Sequence, residues 1–251
     1  MVTCYNEVSD TLCIKMSYLS DNVRQITRFD RFVVLGVLVV NAAVLAYAVI
    51  DGNASGDPGR KFAESSYTTW ISSLQLLTIA VFAFGVYWYR FRDVRRIFSV
   101  IIIWFLIGVG FTFLAADEKF LFHENLDKKI HAVTGMTETA WSDRIDDLIV
   151  LLYGLIGIAA LWCCRHEVLR FPYPLRYLYG GFALLLLMVI LDVASNGDDF
   201  ILALGIGEHA VIVTRWLGAI EDVCKIMAEA FFLAGFFLIF MIVRRQSIQE
   251  D

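Results

Sequence analysis

The sequence predicts an all-α, polytopic membrane protein with six transmembrane helices, and three observations lead to this fold class. Of its 251 residues, 59% are hydrophobic and only 19% are charged, which gives a mean hydropathy of +0.66. Only 3 prolines interrupt the chain. Six apolar stretches are each long enough, at about 1.5 Å per residue, to cross a hydrocarbon core of about 30 Å. So much apolar surface does not fit into one soluble core, and the bilayer is therefore the expected solvent.

The predicted spans make up one membrane domain, 32–243, between two polar ends. They are predicted at 32–50, 67–90, 97–116, 147–164, 175–194 and 221–243. No internal repeat and no low-complexity linker divides them, which favours a single helical domain. The preceding residues, 1–31, are expected to form a polar N-terminal arm, and residues 244–251 a short tail.

The distribution of basic residues predicts the orientation. Of the 21 lysines and arginines, 13 fall on the side of the two termini, in connections close to the span ends. Cytoplasmic loops carry such an excess, so both termini are expected to be cytoplasmic, in a plasma membrane or a bacterial inner membrane. The net charge of −5 and the lack of a basic patch exclude nucleic acid as an expected partner. The lipid bilayer is the expected partner, and a protein partner or a homo-oligomer stays open.

The stretch after span three, "AADEKFLFHENLDKKIHA", is predicted to continue as an amphipathic helix. Asp117 and Glu118 lie at its start, and imidazole and carboxylate groups follow on a polar face. Such groups are ligands of divalent transition metals. The candidate metal ligands are His123, Glu124, His131 and, further along the chain, His209. No complete metal-binding spacing is present, so the solvated face of an interfacial helix is the alternative.

The sixth span carries charge inside a membrane segment. Glu221, Asp222, Lys225 and Glu229 share an arc of about 100° on a helical wheel. Glu229 lies about 12 Å along the axis from Glu221, inside the predicted span. A carboxylate at that depth is costly in lipid and by default indicates a functional site. The alternative is an ion pair with Lys225 that only supports packing.

Other polar side chains are predicted at the same depth as Glu229, in the outer part of their spans. Polar groups in a membrane gain by meeting one another, so we expect an outward-facing acidic pocket. Its expected residues are Glu229, Glu221, Lys225, Asp222, Asp192, Asp117, Glu118 and Gln75.

Three stretches carry a family resemblance: "LAADEKFLFHENL" after span three, Asp192 near the end of span five, and "IEDVCKIMAEAFFL" at the start of span six. Together they resemble a group of bacterial multi-pass membrane proteins in which an Asp-Glu…His-Glu cluster follows one span and a Glu-rich turn opens the last. The resemblance covers about residues 97–243. It implies a membrane fold and the same choice of residues, and it implies no reaction.

These features leave three classes of function open. In the leading hypothesis the pocket binds a cation, a proton or a small polar or lipid head group, as a transporter or sensor does. Alternatively, His123 and Glu124, with His131 or His209, hold a metal that activates water in a membrane enzyme, with Glu118 or Glu229 as the base. The third hypothesis is an accessory subunit that docks through its N-terminal arm.

Overall fold

The computed structural model describes residues 25–63, 66–94, 101–122, 145–195 and 210–250, together with residues 125, 126, 129 and 133. Within these ranges all regular structure is helical, which confirms the all-α prediction. The helices are α1 (Arg28–Ala54), α2 (Tyr67–Val94), α3 (Ile102–Phe120), α4 (Ile145–Cys163), α5 (Arg165–Val168), α6 (Pro172–Ser195) and α7 (Ala210–Glu250), with a 3₁₀ turn at Arg60–Phe62.

Four of these helices are long and apolar enough, by length and composition, to cross a membrane. They are α1, α2, α6 and α7. Helices α3 and α4 have 19 residues each; α3 ends in the charged turn Asp117–Lys119, and α4 begins with Asp146 and Asp147 in its first turn. These apolar helices indicate a membrane protein.

The chain divides into two compact units. The first unit contains residues 1–68 and 169–251, and the second contains residues 69–168. In the first unit α7 packs against both α6 and α1. Its 41 residues extend well beyond the predicted span, 221–243, at both ends. The prediction took the charged residues, such as Glu221, as the end of the apolar run, but a charged side chain does not break the backbone hydrogen bonds of a helix.

The start of α1 is fastened to the end of α7. Thr27 caps α1 in a capping box with Asp30. The Arg245 guanidinium donates two hydrogen bonds to the Asp30 carboxylate, of 2.6 Å and 2.9 Å, and a third to the Gln25 carbonyl. Asp30 is fully buried. At the other end of the same helix pair, Arg215 donates to the Gly56 carbonyl at 3.2 Å, so α1 and α7 are antiparallel.

Helices α6 and α7 approach closely at glycines. A Cβ atom added at Gly181 would lie 2.7 Å from the Phe232 ring, and one at Gly180 would lie 2.8 Å from Phe231. Leu178 lies in the same way against Gly235. From Leu178 to Gly181 the contact on α7 moves from Gly235 back to Phe232, so this helix pair is also antiparallel.

In the second unit, a buried carboxylate joins three elements. Glu167 of α5 accepts hydrogen bonds from Arg90 Nε at 3.0 Å, Arg90 Nη2 at 3.3 Å and the Trp104 indole at 3.3 Å. Helices α2 and α3 are antiparallel, because Ser73 donates to the Ala115 carbonyl and Gly108 lies against the Phe84 ring further along.

Helix α3 continues past Ala116 as predicted for four more residues, and most of the predicted amphipathic helix after it lies outside the described residues. The helix ends at Phe120, because Leu121 adopts a left-handed conformation with φ 54°. The backbone is helical again at Phe122, Asn125 and Leu126. Since the helical conformation is interrupted at Leu121, a single wheel does not place Asp117 on one face with the residues after Leu121.

Candidate functional site

The eight residues of the predicted pocket lie in both units. Five belong to the first unit: Glu221, Asp222, Lys225 and Glu229 on α7, and Asp192 on α6. Three belong to the second unit: Gln75 on α2, and Asp117 and Glu118 on α3. Each set is therefore described within its own unit.

Glu229 is the most buried of the five first-unit residues, with 4% of its surface exposed. Its neighbours Ala228 and Ala230 are fully buried. The small side chains of Ala228 and Ala230 leave room for other helices to pack beside the Glu229 side chain. Lys225 and Glu221, one and two helical turns earlier, are half-buried. The charged side chains of α7 thus lead from partial exposure to full burial at Glu229.

The register of α6 and α7 sets the level of Asp192. Gly181 lies against Phe232, and eleven residues separate Gly181 from Asp192 on α6, as eleven separate Phe232 from Glu221 on α7. Since both helices rise about 1.5 Å per residue in opposite directions, Asp192 lies level with Glu221 along the helix axes. Asp192 is half-buried there.

A third carboxylate lies at about the same level, and sequence reasoning missed it. Arg215 binds the Gly56 carbonyl, so Asp51, five residues earlier on α1, lies near the level of Ile220 on α7. Asp51 forms an ion pair of 2.7 Å with Lys61 of the 3₁₀ turn. The hydrogen bond to Asp51 and its negative charge raise the pKa of Lys61. The signal in the sequence was an acidic residue directly after the predicted first span.

The second unit buries its own polar side chains. Asp117 is 5% exposed and Gln75 is 6% exposed, whereas Glu118 is half-buried. On α2, Thr69 and Ser72 are buried on the turns before Gln75. The hydrogen bond between Ser73 and the Ala115 carbonyl holds this polar part of α2 beside the last turns of α3. The sequence analysis named Gln75 and Asp117 as pocket residues, and it did not name the hydroxyl groups of Thr69 and Ser72.

The four predicted metal ligands, His123, Glu124, His131 and His209, lie outside the described residues. In the part of the chain that the structure describes, no group of three or more His, Cys, Asp and Glu side chains is placed to hold a metal ion. The carboxylates of the first unit share a level along the helices without forming such a ligand set.

The charged contact of Arg90 with Glu167 was also missed. Glu167 stands in a connection that the sequence places at the membrane surface, where a solvated carboxylate is the ordinary expectation. The structure instead gives it 2% exposure and three hydrogen bonds. These bonds satisfy both carboxylate oxygens, so this group is suited to holding helices together.

Comparison with known proteins identifies the family of the chain and leaves its function open. The family described as "Domain of unknown function (DUF8692)" matches residues 31–240. No curated protein and no solved structure matches the chain. The match extends over most of the sequence, and the chain therefore belongs to this domain family.

Proposed function

We propose that this member of the family is a six-span membrane protein whose first unit binds a proton or a small cation at Glu229. The observation that carries the proposal is the burial of this ionisable side chain, with 4% exposure, in a membrane-length helix. A carboxylate in such a place costs several kcal/mol when it is charged and unscreened, and by default it indicates a functional site. A bound proton or cation neutralises the carboxylate.

The charges on the preceding turns supply a route to Glu229. Glu221 and Asp222 are half-buried near the end of the helix bundle of the first unit, level with Asp192. The carboxylates of Glu221, Asp222 and Asp192 at this level are groups that a cation or a proton could bind on its way to Glu229. Lys225 lies between this level and Glu229, on the same arc of α7. When Glu229 holds no proton or cation, Lys225 is the nearest basic residue to it along α7.

The proposed topology places both termini in the cytoplasm. The contact of Arg245 with Asp30 supports it, since the start of α1 and the end of α7 lie at the same end of the first unit. An even number of crossings requires this arrangement. In a six-span protein, α3 and α4 supply the two crossings beyond α1, α2, α6 and α7. The entrance near Glu221 and Asp192 then faces outward.

The test is proton binding by the full-length protein, reconstituted in nanodiscs of zwitterionic lipid. Infrared difference spectra recorded between acidic and basic pH contain a carbonyl band for every carboxyl group that is protonated. We expect Glu229→Gln to remove one band from a buried carboxyl group, at a frequency higher than that of solvated carboxyl groups. Glu118→Gln, the same chemical change in the second unit, is the matched control and should keep the band. Sodium or potassium should shift the pH dependence of the band if the site also takes these ions.

A transport assay completes the test. Vesicles that contain the protein and a pH-sensitive dye should show proton entry that Glu229→Gln abolishes and Glu118→Gln preserves. The proposal fails if Glu229→Gln leaves the infrared band in place. It also fails if Glu229→Leu raises the melting temperature and leaves proton binding unchanged, because Glu229 would then be a packing residue.

A further inference from the structure

The end of the first unit opposite the acidic entrance carries exposed arginines and aromatic side chains. Its exposed basic side chains are Arg28 and Arg31 at the start of α1, Arg170 and Arg176 at the start of α6, and Arg244 near the end of α7. Among the described side chains at this end, the one carboxylate, Asp30, is fully buried and bound to Arg245. The exposed charge that the structure describes at this end is therefore positive.

Arg176 is held in place by two tyrosines. Its guanidinium lies 3.7 Å from the centre of the Tyr173 ring and 4.8 Å from that of Tyr177. The same nitrogen, Nη2, donates to both phenolic oxygens, to that of Tyr177 at 2.9 Å. A stacked and hydrogen-bonded guanidinium loses little further freedom when it binds a ligand.

The packing of α6 on α7 fixes these tyrosines. Tyr177 lies against the Phe231 ring of α7, with 6.4 Å between the ring centres. Phe231 in turn occupies the space that Gly180 leaves open, where a Cβ atom would come within 2.8 Å of the ring. Gly180 thus lets Phe231 pack against α6, Phe231 contacts Tyr177, and Tyr177 accepts a hydrogen bond from Arg176.

The bound Arg176 keeps hydrogen-bond donors for a ligand. A guanidinium has five N–H groups, and Nη2 accounts for two of them. Within the described part of the chain, the three N–H groups on Nε and Nη1 donate to no protein acceptor, and the two phenolic O–H groups are donors as well. Such a set of donors around one positive charge suits the oxygens of a phosphodiester.

We propose that this arginine-rich end of the first unit binds the head groups of anionic phospholipids, with Arg176 and its two tyrosines as the central phosphate site. The aromatic surroundings fit a lipid better than a soluble anion. Phe29 and Phe32 on α1 are 69% and 72% exposed, and Tyr179 on α6 is 61% exposed. Exposed aromatic rings beside exposed arginines are typical of the membrane interface, where the rings contact the acyl chains and the charges contact the phosphates.

The test uses full-length protein in nanodiscs of phosphatidylcholine, with and without phosphatidylglycerol. Native mass spectrometry counts retained lipids, and the expected result for the unchanged protein is enrichment of phosphatidylglycerol over its share in the disc. Arg176→Gln should reduce this enrichment about fivefold, which corresponds to about 1 kcal/mol per arginine at an anionic surface. Tyr173→Phe should reduce it less, since the ring remains. Arg60→Gln, which changes an exposed arginine at the other end of the same unit, should leave it unchanged.

Two results would overturn the proposal. One is equal enrichment in Arg176→Gln and the unchanged protein, with equal melting temperatures in pure phosphatidylcholine to show that both are folded. The other is a rise in melting temperature with inorganic phosphate, in pure phosphatidylcholine, as large as the rise with phosphatidylglycerol. That second result would identify a soluble anion as the ligand.

Discussion

Arg90 and Glu167 form a buried, two-point ion pair between α2 and α5, with Nε–Oε1 and Nη2–Oε2 distances of 3.0 Å and 3.3 Å. The Glu167 side chain is 2% exposed and that of Arg90 is 17% exposed, so water screens the contact poorly. The Trp104 indole donates to the same carboxylate. This one side chain therefore connects the end of α2, the start of α3 and the short helix α5.

We expect Glu167→Gln to destabilise the second unit by about 3–5 kcal/mol, since removal of one partner leaves the other charge buried without compensation. The measurement is the free energy of unfolding in detergent. The double variant Arg90→Met/Glu167→Met removes both charges and should be less destabilised than the sum of the two single changes. Additive effects would show that the two side chains act independently.

Leu121 should be a position where glycine is preferred over alanine. Its φ of 54° costs a residue with a Cβ atom about 1–2 kcal/mol. Leu121→Gly and Leu121→Ala remove nearly the same side chain, and only the glycine relieves the backbone. We expect the glycine variant to be more stable by about 1 kcal/mol, the reverse of the order in a helix interior. Thermal unfolding of the pair, compared directly, decides the matter, and a more stable alanine variant would contradict the left-handed conformation.

The close approach of α6 and α7 predicts that Gly181→Ala destabilises the first unit. The new methyl group would lie 2.7 Å from the Phe232 ring, which is 6% exposed and packs edge-on against Phe182. Overpacking of this kind costs about 1–3 kcal/mol. Gly154→Ala on α4 is the matched control, because, among the described residues, a Cβ atom there meets no atom within 4 Å beyond its chain neighbours and the backbone of its own helix. It should be neutral or stabilising by up to about 1 kcal/mol. Equal effects of the two changes would contradict the packing.

The ion pair of Lys61 with Asp51 predicts a pH dependence at high pH. Asp51 raises the pKa of Lys61 above its ordinary value of 10.5, through the hydrogen bond and the negative charge. A group with a raised pKa stabilises the fold fully below its ordinary pKa, and this stabilisation disappears as the pH rises through the raised value. Asp51→Asn should therefore lower the pKa of Lys61, which NMR titration of isotopically labelled lysine detects. Asp57→Asn removes a nearby charge that makes no ion pair with Lys61 and should change the pKa much less.

The helices were largely predictable from the sequence, and their ends were less so. Apolar runs longer than about 18 residues have few alternatives to a helix in a membrane, because every backbone polar group must be satisfied within the segment. The ends depend on single residues. Thr27 and Asp30 form a capping box that starts α1 four residues before the predicted span. Leu121 ends α3 by a backbone conformation that its side chain does not favour.

The individual residues of the candidate site could be proposed from the sequence, and their arrangement could not. The cost of a carboxylate in lipid identified Glu229 without any knowledge of its neighbours. The level of Asp192 relative to Glu221 needed the register of α6 on α7, which Gly181 and Phe232 set by their fit. The glycines at 154 and 157 were also expected to be packing sites. In the part of the chain that the structure describes, no atom from another helix lies within 4 Å of a Cβ added at either position. A glycine pattern shows where helices are able to approach, and the structure decides where they do.

Helix α7, with 41 residues, is about 61 Å long, roughly twice the thickness of the hydrocarbon core. Arg215 and Arg245 fasten it to α1 at two points that are thirty residues, or about 45 Å, apart. Since α7 is bound to α1 near both ends, these contacts oppose sliding or rotation of α7 relative to α1. If the proposed binding of a proton or a cation at Glu229 displaces α7, α1 should therefore move with it along its whole length.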